Sequence, residues 1–265
     1  MSSNLFQSPT WALVTGSSSG IGLAIAQNLA KAGCGVVLHG IENQSRMNEM
    51  SAELKKQFQS PTFAVSADLS DPSAIQNMLS QISDQKISLD ILINNAGFQH
   101  VAPIETFPLN LWQKMLDVHL TAPMILTQKL VPQMRAQKYG RIINMASVHG
   151  QVASVNKSAY VAAKHGLIGF TKAMALETAG QGITCNAICP GWVQTPLVEN
   201  QIKDRAKNEN ISFDQARENL LGEKQPSKQF VSTDELASLV LHLCSRQSSA
   251  MTGAVLTVDG GWTSQ

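Results

Sequence analysis

Short runs of β-branched and apolar residues alternate along the chain with longer stretches in which apolar positions recur every three or four residues. The runs WALVT (11–15), GVVLH (35–39), TFAVS (62–66), DILIN (90–94), RIINMAS (141–147), ITCNAIC (183–189) and AVLTVDG (254–260) predict strands. The stretches between them predict helices over 21–32, 45–58, 72–85, 108–137, 158–179 and 233–245. Strand–helix–strand repetition calls for right-handed crossovers, which set parallel strands side by side with helices on both faces. The predicted class is α/β, a doubly wound parallel sheet of about seven strands.

One segment breaks this rhythm. Residues 195–230 are polar and helical in pattern but sit between the sixth and seventh strands without a strand of their own. Ligands of open α/β sheets bind beyond the carboxyl ends of the strands, so an insertion there reads as a substrate lid. A solvated helical hairpin or an oligomer contact is the alternative. With no Gly/Ser/Pro-rich linker, the expected organisation is a lead-in over 1–10 and a single domain over 11–265.

Composition narrows the function classes. Apolar residues make up 43% and charged residues 15% of 265, and the net charge is +1 without runs of either sign. That balance argues against a nucleic-acid groove or a membrane-surface patch. The opening MSSNLFQSPT has neither a basic nor an apolar region of a signal peptide, and no stretch approaches a membrane span. Cys34, Cys185, Cys189 and Cys244 lack a metal-ligand spacing and read as free thiols, which suits the cytoplasm; no metal site is expected.

Candidate chemistry gathers at three places. The first strand runs into TGSSSGIG, where Gly16, Gly20 and Gly22 open a helix and let backbone N–H groups approach a pyrophosphate. The motif NNAG follows the fourth strand at 94–97. In NKSAYVAAKHG (156–166), Tyr160 and Lys164 lie one turn apart on one helix face. A tyrosine is a poor base at neutral pH unless its phenolate is stabilised, and an adjacent ammonium is one means of doing so. Taken alone the pair also fits an ordinary surface helix.

These motifs, in this order and over nearly the whole chain, resemble the short-chain dehydrogenase/reductase family. The resemblance implies a Rossmann-like sheet, a nicotinamide dinucleotide, and Ser147, Tyr160 and Lys164 as catalytic residues. It places the cofactor on Gly16, Ser18, Gly20, Ile21, Gly22, Asp68, Leu69, Asn95, Tyr160 and Lys164, with Pro190, Val193 and Thr195 of CPGWVQT clasping the nicotinamide end. Asp68 reads equally as the cap of the helix near Pro72. The second strand ends in His39, Gly40, Ile41 and Glu42, with no base to pair with a 2′-phosphate and a carboxylate to repel one, which favours NAD.

Four further stretches resemble the branch of that family acting on small hydroxy acids: NAGFQHVAPIETFP, SVHGQVASVNKSAYVAAKHG, ETAGQGITCNAICPGWVQTPLVENQI and EKQPSKQFV. That likeness implies a carboxylate clamp of Gln99, His149, Lys157 and Gln201 beside Ser147 and Tyr160, closed by Trp192 and Trp262. A four-carbon acid offers little apolar area, so charge has to carry its recognition. His149 as a loop histidine and Gln201 as a solvated helix residue are the plain alternatives. His39, His100, His165 and His242 show no ligand spacing and read as structural or surface groups. LDVHLTAP departs from the family by placing His119 where an asparagine is usual, which puts the proton relay in question. The resemblance also implies a homotetramer pairing the helices over 108–137 and 158–179. A 3-oxoacyl thioester reductase is the rival enzyme, and a non-catalytic cofactor sensor the rival from another class.

Overall fold

A computed structural model describes Phe6 and residues 10–265, apart from the side chain of Leu197. Most of the expected lead-in over 1–10 lies outside the described residues. Among the described residues, seven strands form one parallel sheet in the order β3-β2-β1-β4-β5-β6-β7. They are β1 (Trp11–Val14), β2 (Gly35–Gly40), β3 (Thr62–Ser66), β4 (Ile91–Asn94), β5 (Gly140–Met145), β6 (Ile183–Pro190) and β7 (Val255–Val258). Every residue of β2, β5 and β6 is buried, which is why these strands read as unbroken apolar runs rather than alternating ones.

Helices α1 (Gly20–Lys31), α2 (Gln44–Phe58) and α9 (Thr233–Cys244) cover one face, packing Ile25, Leu29, Met47 and Val240 against Val14, Val36 and Leu38. The other face is covered by α3 (Pro72–Asp84), α5 (Ala122–Gln137) and α6 (Ser158–Glu177), with Ile75, Met78 and Leu126 against Leu13, Val37 and Leu92. The strand order reverses between β1 and β4, leaving a crevice beyond their carboxyl ends. No helix among the described residues is long and apolar enough to cross a membrane.

The predicted helix over 108–137 is not continuous. It consists of α4 (Leu109–Leu116), a π-helical turn at Asp117–Thr121, and α5. The extra residue in that turn rotates the helix register, and both Val118 and His119 are buried there.

The segment over 195–230 folds as α7 (Pro196–Glu209) and α8 (Phe213–Lys224). Thr195 caps α7 by accepting from the Val198 amide, and Ser212 caps α8 by accepting from that of Gln215. Val198, Ile202 and Ala216 form a small core with Trp192 and Phe230 packed on it. The base is clipped by a parallel bridge between Val193 and Val231. The pair is thus a closed helical hairpin mounted on the end of β6.

Candidate active site

A cleft of about 880 Å³ runs along the carboxyl ends of the strands. Its walls include every residue expected at the cofactor and substrate sites, from Gly16 at one end to Trp262 at the other.

At the first end the chain leaves β1 and turns sharply. Gly16 and Gly20 have φ of +63° and +53°, the left-handed region that side chains disfavour. A Cβ on Gly16 would lie 2.8 Å from Ala96 Cα, and one on Gly22 only 2.2 Å from the Gly16 carbonyl oxygen. Ser19 begins α1 without a side-chain cap, and the first turn carries no acid. The free N–H groups and positive end of this helix suit an anion such as a pyrophosphate. Ser18 and Ile21 line the same wall, and Thr195 faces Gly20 across it.

Asn95 secures the loop, its amide donating to the carbonyls of Thr15 (2.9 Å) and Gly16 (3.1 Å). Asn94 reaches the other way, donating to Asn144 Oδ1 at 2.8 Å within the sheet. The cap of α3 is Asp71, whose carboxylate accepts from the Ser73 amide, and not Asp68. Asp68 accepts from the Ser70 amide and hydroxyl and pairs with Lys114 Nζ at 3.0 Å across the cleft mouth. These bonds hold its carboxyl below the usual range. Leu69 beside it is buried. At the end of β2, Glu42 Oε2 is buried in the cleft wall without a hydrogen-bond partner, an acceptor suited to a ribose hydroxyl. Phosphate-facing amides at one place and an unsatisfied carboxylate oxygen at the next fit a dinucleotide.

The other end holds the reactive groups. Ser147 follows β5 and caps a short turn by accepting from the His149 amide at 3.1 Å. Tyr160 lies in the first turn of α6, and burial pushes its pKa up to about 12 against the opposing pull of the Ser147 hydroxyl. Lys164, one turn on, is buried and donates to the Met145 carbonyl at 2.7 Å, with its Nζ 5.5 Å from the centre of the Tyr160 ring. Burial lowers its pKa to about 8. In the chain by itself burial dominates at Tyr160. The ammonium is tied to a carbonyl and sits over the ring, while low-dielectric surroundings disfavour both charged forms.

His119 is drawn into this cluster by the π turn. Its Nε2 bonds the Phe98 carbonyl at 2.7 Å, and the ring meets Tyr160 edge-on with centroids 5.3 Å apart. Its Nδ1 is buried without a partner. Burial foremost, then the Lys164 charge, push its pKa to about 3, so the imidazole is neutral.

Beyond Tyr160 the four expected clamp residues converge from separate segments. Gln201 of α7 donates to Gln99 at 3.2 Å. His149 Nε2 lies 2.9 Å from the Ser154 hydroxyl, and its pKa is lowered to about 4 by burial and then by Lys157. Lys157 Nζ sits 5.1 Å from the Trp192 ring centre. Among the described residues no carboxylate is within ion-pair distance of it. Trp262 stacks between His149 and Trp192, at 5.4 and 5.6 Å. Pro190 and Val193 lie between this end and the glycine loop.

Two positions escaped the sequence reading. Gln225, buried at the foot of α8, accepts from the Trp192 amide at 2.9 Å and so fixes the helical hairpin to the end of β6. His39, read as structural or surface, is buried in the cleft wall and bonds the glycine loop. Neither carries a local sequence signal, because each is defined by partners distant along the chain.

Known proteins match this arrangement. The family described as enoyl-(acyl carrier protein) reductase, of the short-chain alcohol dehydrogenase type, matches residues 16–263. The D-beta-hydroxybutyrate dehydrogenase of Cupriavidus necator is 47% identical over 255 residues, 96% of this chain and 98% of that protein. Its namesake from Rhizobium meliloti is 44% identical over 254 residues, with the same coverage of both. The L-sorbose reductase of Gluconobacter frateurii, solved with NADPH and L-sorbose, superposes with a TM-score of 0.93 at 32% identity, covering 99% of each chain. With its fold, its glycine loop and its Ser147–Tyr160–Lys164 cluster, the chain belongs to the short-chain dehydrogenase/reductase family of oxidoreductases.

Proposed function

We propose that this protein catalyses the reversible NAD-linked oxidation of D-3-hydroxybutyrate to acetoacetate. The observation that carries the reading is Lys157: an ammonium in the cleft wall with no carboxylate partner, beside neutral His149 and the Gln99–Gln201 pair. An isolated cation flanked by neutral donors is an anion site, and a charge-assisted bond contributes about 1.5–3 kcal/mol. The two hydroxybutyrate dehydrogenases among its relatives point to the same substrate.

Bound NAD supplies the hydride acceptor and a positive ring. The residues of the chain do the rest. Lys157, His149, Gln99 and Gln201 hold the carboxylate and so fix the far end of a short acid. Ser147 would hold the substrate hydroxyl oxygen, and Tyr160, having first released its own proton to solvent beside Lys164 and the positive nicotinamide, would take the substrate proton as general base. Lys164 holds the nicotinamide ribose and offers its charge to the phenolate once it forms. Trp192 and Trp262 close the pocket and exclude water. NAD rather than NADP follows from the end of β2, where Glu42 stands and neither lysine nor arginine does.

A thioester reductase needs an open slot for a carrier arm and no charged anchor for a free carboxylate, whereas here Lys157 lines the cleft. In our reading the hairpin is the substrate lid, and the whole of 11–265 one domain. The exposed Leu109, Met124 and Leu176 on α4, α5 and α6 support pairing of these helices in a homotetramer. Four buried free thiols suit the reducing cytoplasm. The direct test follows absorbance of the reduced nicotinamide with NAD or NADP and a panel of short hydroxy acids. Preference for NADP, or turnover of thioesters but not of the free acid, would overturn the reading.

A further inference from the structure

Among the buried groups the chemistry above leaves unused, His39 is the most specifically bonded. It is the penultimate residue of β2, and both of its ring nitrogens are engaged. The Gly16 amide donates to Nδ1 at 3.1 Å, and Nε2 lies 3.1 Å from the Ala67 carbonyl. A nitrogen that accepts from an amide carries no proton, so the hydrogen must sit on Nε2 and be donated to Ala67. The backbone of the same residue is bonded just as closely. His39 N–H donates to Ser17 Oγ at 2.9 Å, and its carbonyl accepts from the Ser17 amide at 2.8 Å.

We propose that His39 is the positioning residue that sets the adenosine half of the dinucleotide site. The inference rests on the dinucleotide reading of the cleft and goes beyond it in assigning a role to this side chain. Gly16 has a positive φ and no side chain of its own, so contacts from neighbours decide where its peptide points. Asn95 holds its carbonyl from the end of β4, and His39 holds its N–H from the end of β2. The other ring nitrogen holds the carbonyl that leads directly into Asp68 and Leu69. One imidazole thereby fixes the spacing between the phosphate-facing turn and the opposite adenosine wall.

Only the neutral ring with its proton on Nε2 can do this, since an imidazolium would set Nδ1–H against the Gly16 N–H. Burial keeps the pKa down near 4, outweighing the bond to the Ala67 carbonyl and then the carboxylates of Glu42 and Asp68 that pull it upward. A merely space-filling histidine would need neither this tautomer nor both bonds.

The test compares the parent protein with His39→Asn and His39→Leu. The asparagine amide oxygen falls close to the place of Nδ1 and can still accept from Gly16, but the side chain is too short to reach Ala67. Leucine loses both bonds. Calorimetric titration with NAD, AMP and nicotinamide mononucleotide reads the two halves of the site separately. AMP binding should weaken roughly three- to tenfold in His39→Asn and further in His39→Leu, with nicotinamide mononucleotide affinity unchanged within about twofold. Nitrogen NMR of the parent imidazole should show one neutral form at neutral pH, protonated on Nε2 alone. This second measurement holds even if the leucine variant does not fold. An unchanged AMP affinity in His39→Asn, an equal loss for both mononucleotides, or a proton on Nδ1 at neutral pH would overturn the proposal. Failure of the parent protein to bind NAD or AMP would overturn the dinucleotide reading, and this proposal with it.

Discussion

Lys157→Met is the perturbation that bears most directly on substrate recognition. Methionine keeps an apolar stem against Trp192 and removes only the charge, whose Nζ lies 5.1 Å from that ring. The rest of the clamp cannot compensate, because His149 is held neutral by burial with a pKa near 4 and Gln99 and Gln201 are amides. One charge-assisted bond contributes about 1.5–3 kcal/mol, and about 1.4 kcal/mol is a factor of ten. The KM for 3-hydroxybutyrate should therefore rise about 10- to 150-fold. The carboxylate takes no part in bond-making, so it is held alike in ground and transition states, and kcat should stay within about threefold. Steady-state kinetics at saturating NAD measures both constants, with 3-hydroxybutyramide as an uncharged control. The parent should prefer the acid, and the variant should treat acid and amide alike. Burial lowers the Lys157 pKa, so the parent KM should climb on the alkaline side as the ammonium is lost, and that climb should vanish in the variant. An unchanged KM, or an equal loss for acid and amide, would refute the anion-clamp argument.

Tyr160→Phe should lower turnover by at least about 100-fold while NAD affinity stays within a few-fold, because it removes the base without touching the glycine loop; substantial residual turnover would mean another proton route. His119→Asn should raise kcat, by at most about 100-fold, with KM nearly unchanged, since an amide can donate and accept at once where the neutral imidazole leaves Nδ1 unpartnered; a fall in kcat across pH 6 to 9 would show that the imidazole itself serves the relay. Lys164 has a folded pKa near 8 against an ordinary 10.5, so between those values the unfolded chain binds more protons and the parent gains stability as pH rises. The stability of Lys164→Met relative to the parent should accordingly fall by about 3 kcal/mol between pH 7 and pH 11, and denaturant titrations showing no such change would exclude a buried ammonium.

The fold was legible because its main signals are local. A buried strand reads as an apolar and β-branched run, and all seven observed strands lie within the runs predicted as strands or overlap them. Tyr160 and Lys164 were legible as a pair because helix geometry puts residues four apart on one face. What failed to show was what tertiary contact creates. Nothing in DVHLT distinguishes a π turn from an ordinary helix, so the break at Asp117–Thr121 was read as continuous. Asp68 was read as a possible cap of the helix near Pro72, and the bond from the Ser73 amide assigns that cap to Asp71 instead. His39 looked inert in VVLHG because its partners, Gly16 and Ala67, lie 23 and 28 residues away. That Gln99, His149, Lys157 and Gln201 share one cleft wall was suggested only through resemblance, since they come from four segments with no common spacing.

Under the proposed function, the distribution of charge at the reactive end gives the substrate one way round to bind. Apart from Lys114, which is paired with Asp68 at the cleft mouth, two ammonium groups line the cleft, and a carboxylate could in principle pair with either. Lys164 is 4% exposed, already donates to the Met145 carbonyl and has a pKa pulled down by burial. Taking a carboxylate there would mean burying a second charge and breaking an existing bond. Lys157 faces only the ring of Trp192 and gives up no hydrogen bond to receive an anion. The two histidines between them stay neutral, so neither offers a competing charge. In the proposed reaction the carboxylate would therefore go to Lys157, leaving the hydroxyl of a short acid toward Ser147 and Tyr160. Burial thus does two things at once here: it silences the cation beside the base, and it leaves the cation of the clamp as the one free to choose the orientation.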